Sequence, residues 1–475
     1  MATMATTNQK VAAATRMAVH TTTRATGSFL VRSGISLMSE GKTYAFEKRI
    51  IMRGGRTICQ FRPRGGARAA LSRVCRLSAA PGAGRLGALT DKVHHPFEGE
   101  PTLIMLPASR ALGLSERLAA LHSHLRRAVP SVDRMAVALY DPEMDLLKTF
   151  VNSTVDGEPL RAYQYKLSEC PSLLALKEGG EARVIDDIAR ELTSDSEHTR
   201  WVKSMGYRAS YTIPLMHQGM FEGFIFLDSC QPGAFTPAVV QEIGIYVNLL
   251  VLMVGQEMTT LRALIGSVQV ARDFTSLRDE ETGAHLERMS RFSRLIARGL
   301  VRSHGLSDEF VEQVFLFSLL HDIGKVGIPD SVLRKKGALT SEERREMQSH
   351  VALGSEMVDR LVNDFGLSAV AGIAVLRNVV AGHHEFLDGS GYPRKLRAGD
   401  IPLEARIVTV ADIFDALTSK RAYKEAWTMD EALKTMEKMA AEGKLDADCV
   451  AVLHANREEA RKIIERFGEA GSPVV

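Results

Sequence analysis

Hydrophobic positions recur at helical spacing from Leu114 to Ala128, then alternate in strand fashion through Met135–Tyr140 and Leu146–Val151 around a turn at Asp141-Pro142. A helical middle follows. Two more apolar strands come next, Ser210–Leu215 and Gly223–Asp228, joined through His217-Gln-Gly219. The order helix, two strands, helical middle, two strands, long helix predicts an antiparallel sheet with helices packed on it. In the long helix, Val247, Leu250, Val254, Leu261, Leu264, Val268 and Ala271 step by threes and fours, broken only at Glu257. That stripe predicts a parallel dimer seam running out of the sheet domain. One helix packed on its own domain explains part of the same stripe. Further on, Phe310–Leu320, Met347–Gly354 and Ile413–Leu417 read as helices of a bundle.

Residues 1–97 lack a sustained period and read as a low-complexity basic segment, disordered by composition. Residues 1–90 carry fifteen Lys and Arg against two acids, Glu40 and Glu47, so the net charge of +3 conceals an acidic remainder. An Arg-rich, acid-poor start resembles a transit peptide; a solvated tail is the blander reading. The expected division is therefore 1–97 tail, 98–255 sheet domain, 256–278 linker helix and 279–475 helical domain. At 475 residues, 45% hydrophobic and 25% charged, the chain has the composition of a soluble multidomain protein. Five scattered cysteines without a CxxC pair fit a reducing, cytoplasmic compartment and give no support to a disulfide framework or zinc ribbon. The apolar run Ile243–Val254 is too short for a bilayer and carries Asn248, so no membrane span is expected. Nothing in the globular part calls for nucleic acid.

The helical domain concentrates imidazoles and carboxylates. It holds Glu281-Thr-Gly-Ala-His285, His321-Asp322-Ile-Gly-Lys325, His350, His383-His384-Glu385-Phe-Leu-Asp388-Gly-Ser-Gly391-Tyr392-Pro393 and Asp412-Ile-Phe-Asp415. Six of fourteen histidines lie between 285 and 384, and only His304, before Gly305, reads as a loop residue. Glu281 and His285 share one helix face if both are helical, and Gly283 between them suggests close backbone packing. Adjacent ligands such as His321 and Asp322 diverge by about 100° on a helix and can serve different cations. Asp412 is expected to start the helix Ile413–Leu417. An N/O donor set without thiolate suits iron, manganese, cobalt or nickel alike.

These motifs together resemble the HD-GYP phosphodiesterases, a helical subgroup of the HD hydrolases that cleaves cyclic di-GMP, over about residues 278–467. The resemblance implies that His285, His321, Asp322 and Asp412 hold a first metal, with Asp322 bridging, and that His350, His383 and His384 hold a second. Glu281 matches the carboxylate of members that hold a third. Iron or manganese is the implied metal. Lys325 matches a phosphate-binding lysine, Arg421 and Lys424 fall where members use further basic contacts, and His321, Asp322 and Lys325 are the implied catalytic set. Tyr392 is placed to pack on a guanine, and Asp388 to orient His383 or His384. Departures are Val351 for a proline, Lys336-Gly337 for Pro-Gly and Ala422 for proline; none removes a ligand.

The sheet domain, over about 112–257, resembles a GAF sensory module, with Cys170 and His198 as candidate ligand contacts. A buried thiol and a surface imidazole are the plainer readings of those two. The whole is read as an α/β GAF domain joined by a long helix to an HD-type helical bundle. The implied function is metal-dependent hydrolysis of cyclic di-GMP to linear pGpG, with GMP as a further product, under control of an unknown GAF ligand. Alternatives are a phosphodiesterase for cyclic GMP-AMP, or a catalytically weak regulator that binds through the Gly391-Tyr392-Pro393 surface.

Overall fold

The computed structural model describes residues 30–39, 42–53, 56–63, 112–276, 283–367, 370, 372–419 and 426–468. The chain divides into two units, Met1–Thr102 and Leu103–Val475. In the first, β1 (Leu30–Ser39), β2 (Lys42–Arg53) and β3 (Arg56–Pro63) form an antiparallel meander, with Ser39 opposite Lys42 and Arg53 opposite Arg56. The sequence reading expects no regular structure there. Short runs such as Ile50-Ile51-Met52, interrupted by charges, carry too little alternation to announce strands.

The second unit opens with α1 (Leu114–Ala128), followed by β4 (Arg134–Asp141), β5 (Leu146–Thr154) and β6 (Gln164–Lys166). Next come α2 (Pro171–Gly179), β7 (Arg183–Ile185), α3 (Ile188–Glu191) and α4 (Glu197–Ser204), then the hairpin β8 (Ala209–His217) and β9 (Met220–Ser229). The strands make one antiparallel sheet in the order β6-β5-β4-β9-β8-β7. The central strands are apolar at nearly every position because both faces are covered. Ile225 and Leu227 face the core shared with α1, while Phe224 and Phe226 turn to the opposite face toward Leu173 and Leu174 of α2. Gly223 is required where it stands: a Cβ there would fall inside the carbonyl oxygen of Ala138 on β4.

Helix α5 runs unbroken from Pro237 to Ser276, so the expected linker is a continuation of the last sheet-domain helix. Its stripe corrects the dimer-seam expectation. Val247, Leu250, Val254, Leu261 and Leu264 are buried within the same chain, in the core formed with α1, the sheet and the helical domain. A three-four spacing reports that a face is covered but not by what. Glu257, the apparent break, pairs with Arg117 of α1. A different stripe, Ile245, Leu249 and Leu252, is exposed. Among the described residues, Pro237–Ser267 is also long and apolar enough to cross a membrane, with 22% of the window buried. The run extends past Val254 because Glu257 and Arg262 are too few to end it.

The longer helices that follow among the described residues are α6 (Gly283–Gly299), α7 (Asp308–Ser318), α8 (Ser341–Gln348), α9 (His350–Asp364) and α10 (Ile373–Gly382). They are followed by α11 (Leu403–Thr418), α12 (Met429–Ala441), α13 (Ala447–Ala455) and α14 (Arg457–Phe467). Helix α6 is central and packs against α7, α11, α13 and α14. Phe292 and Phe414 meet edge to face there with centroids 4.9 Å apart. The sheet domain docks on this bundle through polar contacts. Glu309 of α7 accepts from the backbone N–H groups of Leu114 and Ser115, and Asp308 from that of Ala162.

Candidate metal centre

Five elements deliver the candidate ligands to one place. The described part of helix α6 runs from Gly283 and carries His285; among the described residues, the space a Cβ would fill at Gly283 is open, so the close packing expected there is not seen. Ser307 caps α7 by accepting from the N–H of Phe310, and the helix ends at Ser318. The chain then turns through His321 and Asp322 into a 3-10 turn, Ile323–Gly327. His350 opens α9, and His383 closes α10 with His384 behind it. Asp412 lies deep within α11 rather than starting it, because the apolar run from Ala405 already continues the helix capped at Pro402. Gly324 makes the convergence possible. A Cβ there would overlap the carbonyl oxygen of His350, so only glycine lets the 3-10 turn lie against the start of α9.

Two groups of donor atoms result. Asp322, His350, His383 and His384 bring one ligand atom each within 4.8 Å of one another, and His285, His321 and Asp412 do the same. Asp322 stands between them. Its Oδ1 lies 3.1 Å from His350 Nε2 and 3.5 Å from His383 Nε2, and its Oδ2 lies 3.0 Å from His321 Nε2. His285 Nε2 is 3.9 Å from Asp412 Oδ1.

The far side of the rings decides what these contacts mean. Nδ1 of His321 lies 2.9 Å from the Ser318 carbonyl, that of His350 2.7 Å from the Met347 carbonyl, and that of His383 3.1 Å from the Val379 carbonyl. A carbonyl oxygen can only accept, so each Nδ1 carries the proton and each Nε2 offers a lone pair. Lone pairs therefore face carboxylate oxygens. Nε2 of His285, His350 and His383 and Oδ1 of Asp322 are buried without a hydrogen-bond partner among the described residues. Such a cluster of acceptors is costly unless cations lie between them, and the residues of both groups fit metal ions.

The electrostatics agree. Burial alone would raise the Asp322 carboxyl, but Lys325 and His321 outweigh it and hold it well below the usual range. Lys325 Nζ lies 2.8 Å from Asp322 Oδ2. Burial pulls His383 and His384 down, and the neighbouring His383 lowers His384 further, so both stay neutral and able to ligate. Tyr392 lies on His384, with centroids 4.6 Å apart and planes at 29°, which gives its ring a partner inside the site. Burial raises its hydroxyl, with the Asp322 charge adding to the effect.

Among the described residues, no contact joins Asp388 to a histidine. Its Oδ1 accepts from the N–H and hydroxyl of Ser390, and the backbone carbonyls of α10 already hold His383. A two-residue carboxylate turn is the closer use of an Asp before Gly-Ser-Gly. The loop is instead shaped by buried Glu385, which accepts from the N–H groups of Arg394 and Leu396. Asp415 went unassigned in the sequence. Its Oδ2 lies 2.7 Å from His285 Nδ1, and Arg288 donates to both its oxygens. Asp415 is one helical step from Asp412 on the same face, and that spacing is the signal that could have found it. Glu281, Arg421 and Lys424 lie outside the described residues. Cys170 and His198 both line a separate cavity in the sheet domain.

Residues 272–449 match the HD domain. This is a metal-dependent hydrolase fold, and both donor groups fall within it. The chain is 46% identical over 196 residues to the cyclic di-GMP phosphodiesterase response regulator RpfG of Xanthomonas campestris pv. campestris, covering 41% of this chain and 48% of that protein. It is 42% identical over 167 residues to 3'3'-cGAMP-specific phosphodiesterase 2 of Vibrio cholerae, covering 35% of this chain and 30% of that one. The chain thus spans less than half the length of these curated relatives. A solved GAF domain/HD domain protein from Geobacter sulfurreducens superposes with a TM-score of 0.26 and 18% identity, over 32% of this chain and 97% of that structure.

Proposed function

We propose that the HD domain hydrolyses cyclic di-GMP to linear pGpG, with GMP as a second product, and that the sheet domain is a GAF-type sensor controlling it. The observation that carries this reading is the pair of donor groups joined by Asp322, the arrangement a two-cation phosphodiesterase needs. His285, His321, Asp412 and Asp322 are the residues for one cation, and His350, His383, His384 and Asp322 for the other. Glu281 is the candidate for a third. Iron or manganese suits the N/O donor set. Such cations supply a water activated at neutral pH and neutralise phosphate charge.

The chain's own groups do the remaining work. Lys325 offers an ammonium beside Asp322, where it can hold a phosphate oxygen. Arg421 and Lys424 are candidates for the second phosphate of the ring. Tyr392, stacked on His384, presents its edge or hydroxyl to a base. The carbonyl anchors keep each Nε2 lone pair aimed inward whether or not substrate is present.

The test is turnover of purified, metal-analysed protein on cyclic di-GMP and on 3'3'-cGAMP, alongside His321→Ala and Asp322→Ala. Hydrolysis of cyclic di-GMP that both variants abolish while remaining folded supports the reading. Near-normal activity in either variant overturns it. Preference for cGAMP, the substrate in one relative's name, would reassign the substrate and leave the chemistry in place. The homodimer expected from the sequence is kept as a proposal, with a different surface on α5: Ile245, Leu249 and Leu252.

A further inference from the structure

The sheet domain encloses a cavity of about 360 Å³ between the sheet and helices α2–α4. That volume is at the lower end of the range for small-molecule sites, about 300–1,000 Å³. Tyr163, Phe226 and His198 give it aromatic walls. Two arginines reach it. Arg134 is matched by Asp228, which also accepts from the Ser210 hydroxyl. Arg183 makes no ion pair among the described residues, and its Nε, like that of Arg134, is buried without a hydrogen-bond partner there. Glu169 also lines the cavity, but it is an exposed residue. A half-buried guanidinium in an aromatic pocket is relieved by an anion.

Strand β5 forms part of the wall. Leu147, Thr149 and Val151 face the cavity. Lys148, on the opposite face, leaves the sheet domain altogether. Its Nζ lies 3.1 Å from both carboxylate oxygens of Glu312 on α7 and 3.9 Å from Asp141 Oδ2. Asp141 in turn accepts from Arg291 of α6 at 3.0 Å, and Arg294 of α6 lies 3.7 Å from Glu312. The side chains of all five are at most 12% exposed. Helix α7 runs from Glu312 toward His321, and α6 carries His285 less than two turns before Arg291. One strand thickness therefore separates the cavity from α6, which carries His285, and from α7, which leads into His321.

We propose that the cavity binds a small planar organic anion through Arg183, and that its occupancy is conveyed to α6 and α7 through β5 by the buried Lys148–Glu312–Asp141–Arg291 network. Such an anion presses on Leu147, Thr149 and Val151, and a strand cannot shift at those positions without moving Lys148. The buried charges follow it because separating them leaves an unpaired ion out of water. The inference rests on the phosphodiesterase reading only for what the signal controls.

The test uses 8-anilinonaphthalene-1-sulfonate, a planar aromatic anion, as the probe on the full chain. Binding is followed by fluorescence, and the response of α7 by amide hydrogen exchange over residues 308–318. The expected results are one probe per chain, at least tenfold weaker binding in Arg183→Gln, and altered exchange in α7 when the wild-type cavity is filled. Lys148→Met alone leaves Glu312 its ion pair with Arg294, whereas Lys148→Met with Glu312→Met removes both ends of the link between β5 and α7, so the double variant is the decoupled one. That variant is expected to bind the probe as wild type does and to lose the exchange response. Binding insensitive to Arg183→Gln, or an exchange response that persists in the double variant, overturns the proposal. Turnover of cyclic di-GMP is measured in parallel. Intact coupling without turnover removes the enzymatic reading and leaves this one standing.

Discussion

Nδ1 of His285 and Oδ2 of Asp415 lie 2.7 Å apart, and Arg288 clasps the same carboxylate through Nε at 2.7 Å and Nη2 at 3.0 Å. Burial works against the Asp415 charge, but hydrogen bonds from His285 and Arg288 outweigh it and hold the carboxyl below its usual range. Asp415 therefore accepts from the Nδ1–H of His285 and turns its Nε2 toward Asp412 and His321. Asp415→Leu is expected to lower metal affinity and turnover by about 10–100-fold, the usual effect of removing such a partner. Asp415→Asn keeps an accepting oxygen and should fall between. Metal content by mass spectrometry on the purified variants checks this independently of activity; full occupancy in Asp415→Leu would show that His285 needs no orienting partner.

Gly324 is the backbone counterpart of that relationship. Because a Cβ at 324 meets the His350 carbonyl and the backbone N of Gly354, Gly324→Ala must push the 3-10 turn away from α9. Overpacking of this kind costs about 1–3 kcal/mol. The displacement also separates Asp322 from His350 and His383. Thermal unfolding should show the loss in stability, and metal analysis should show less than the wild-type complement. An alanine variant with unchanged melting and metal content would mean that the turn relaxes freely.

The candidate ligands stand out in the sequence because cation chemistry restricts residue type, and helical spacing restricts where the residues stand. Each expected ligand among the described residues reaches one of the two groups. The helix bearing Asp412 was misplaced because its first turns, Leu403–Val410, look like any apolar run until their covering helices are known. The stripe on α5 marks a covered face, and for Val247 to Leu264 the cover is the same chain; periodicity carries no information about the neighbour. Strands β6 and β7 are three residues each and too short to alternate visibly. Asp308 and Glu309 look like an ordinary acidic helix start. Their second use, accepting backbone N–H groups from the sheet domain, depends on segments far away in sequence.

His198 gives the sheet domain a pH dependence of defined sign. Burial, with the Arg134 charge next, lowers its pKa from 6.5 to about 4. The unfolded chain then takes up a proton as pH falls through 6.5 while the folded one does not. The stability from a neutral His198 is fully present above 6.5 and is lost progressively as pH falls toward 4, by up to about 3 kcal/mol. Unfolding midpoints between pH 7.5 and 4.5 should therefore decline more steeply in wild type than in His198→Phe. Parallel curves for the two proteins would place the acid sensitivity elsewhere.

The exposed stripe on α5 leads to a prediction about assembly. Ile245 and Leu252 are 64% and 60% exposed and Leu249 is 45%, at the four- and three-residue steps of a helix-pairing seam. Between Pro237 and Leu261 the helix has no Lys or Arg and only two acids, Glu242 and Glu257. That composition gives no attraction to an anionic lipid surface. The opposite face is held in the sheet-domain core, with Glu257 tied to Arg117, so a second copy of the helix is the cover that fits. Side chains this exposed contribute roughly 1.5–3 kcal/mol each when fully buried. Leu249→Glu, which would also set like charges against each other across the pair, should shift the protein from dimer to monomer in sedimentation at micromolar concentration. It should leave the HD domain's metal content unchanged. A wild-type chain that sediments as a monomer, or a Leu249→Glu chain that remains dimeric, would remove this face from consideration.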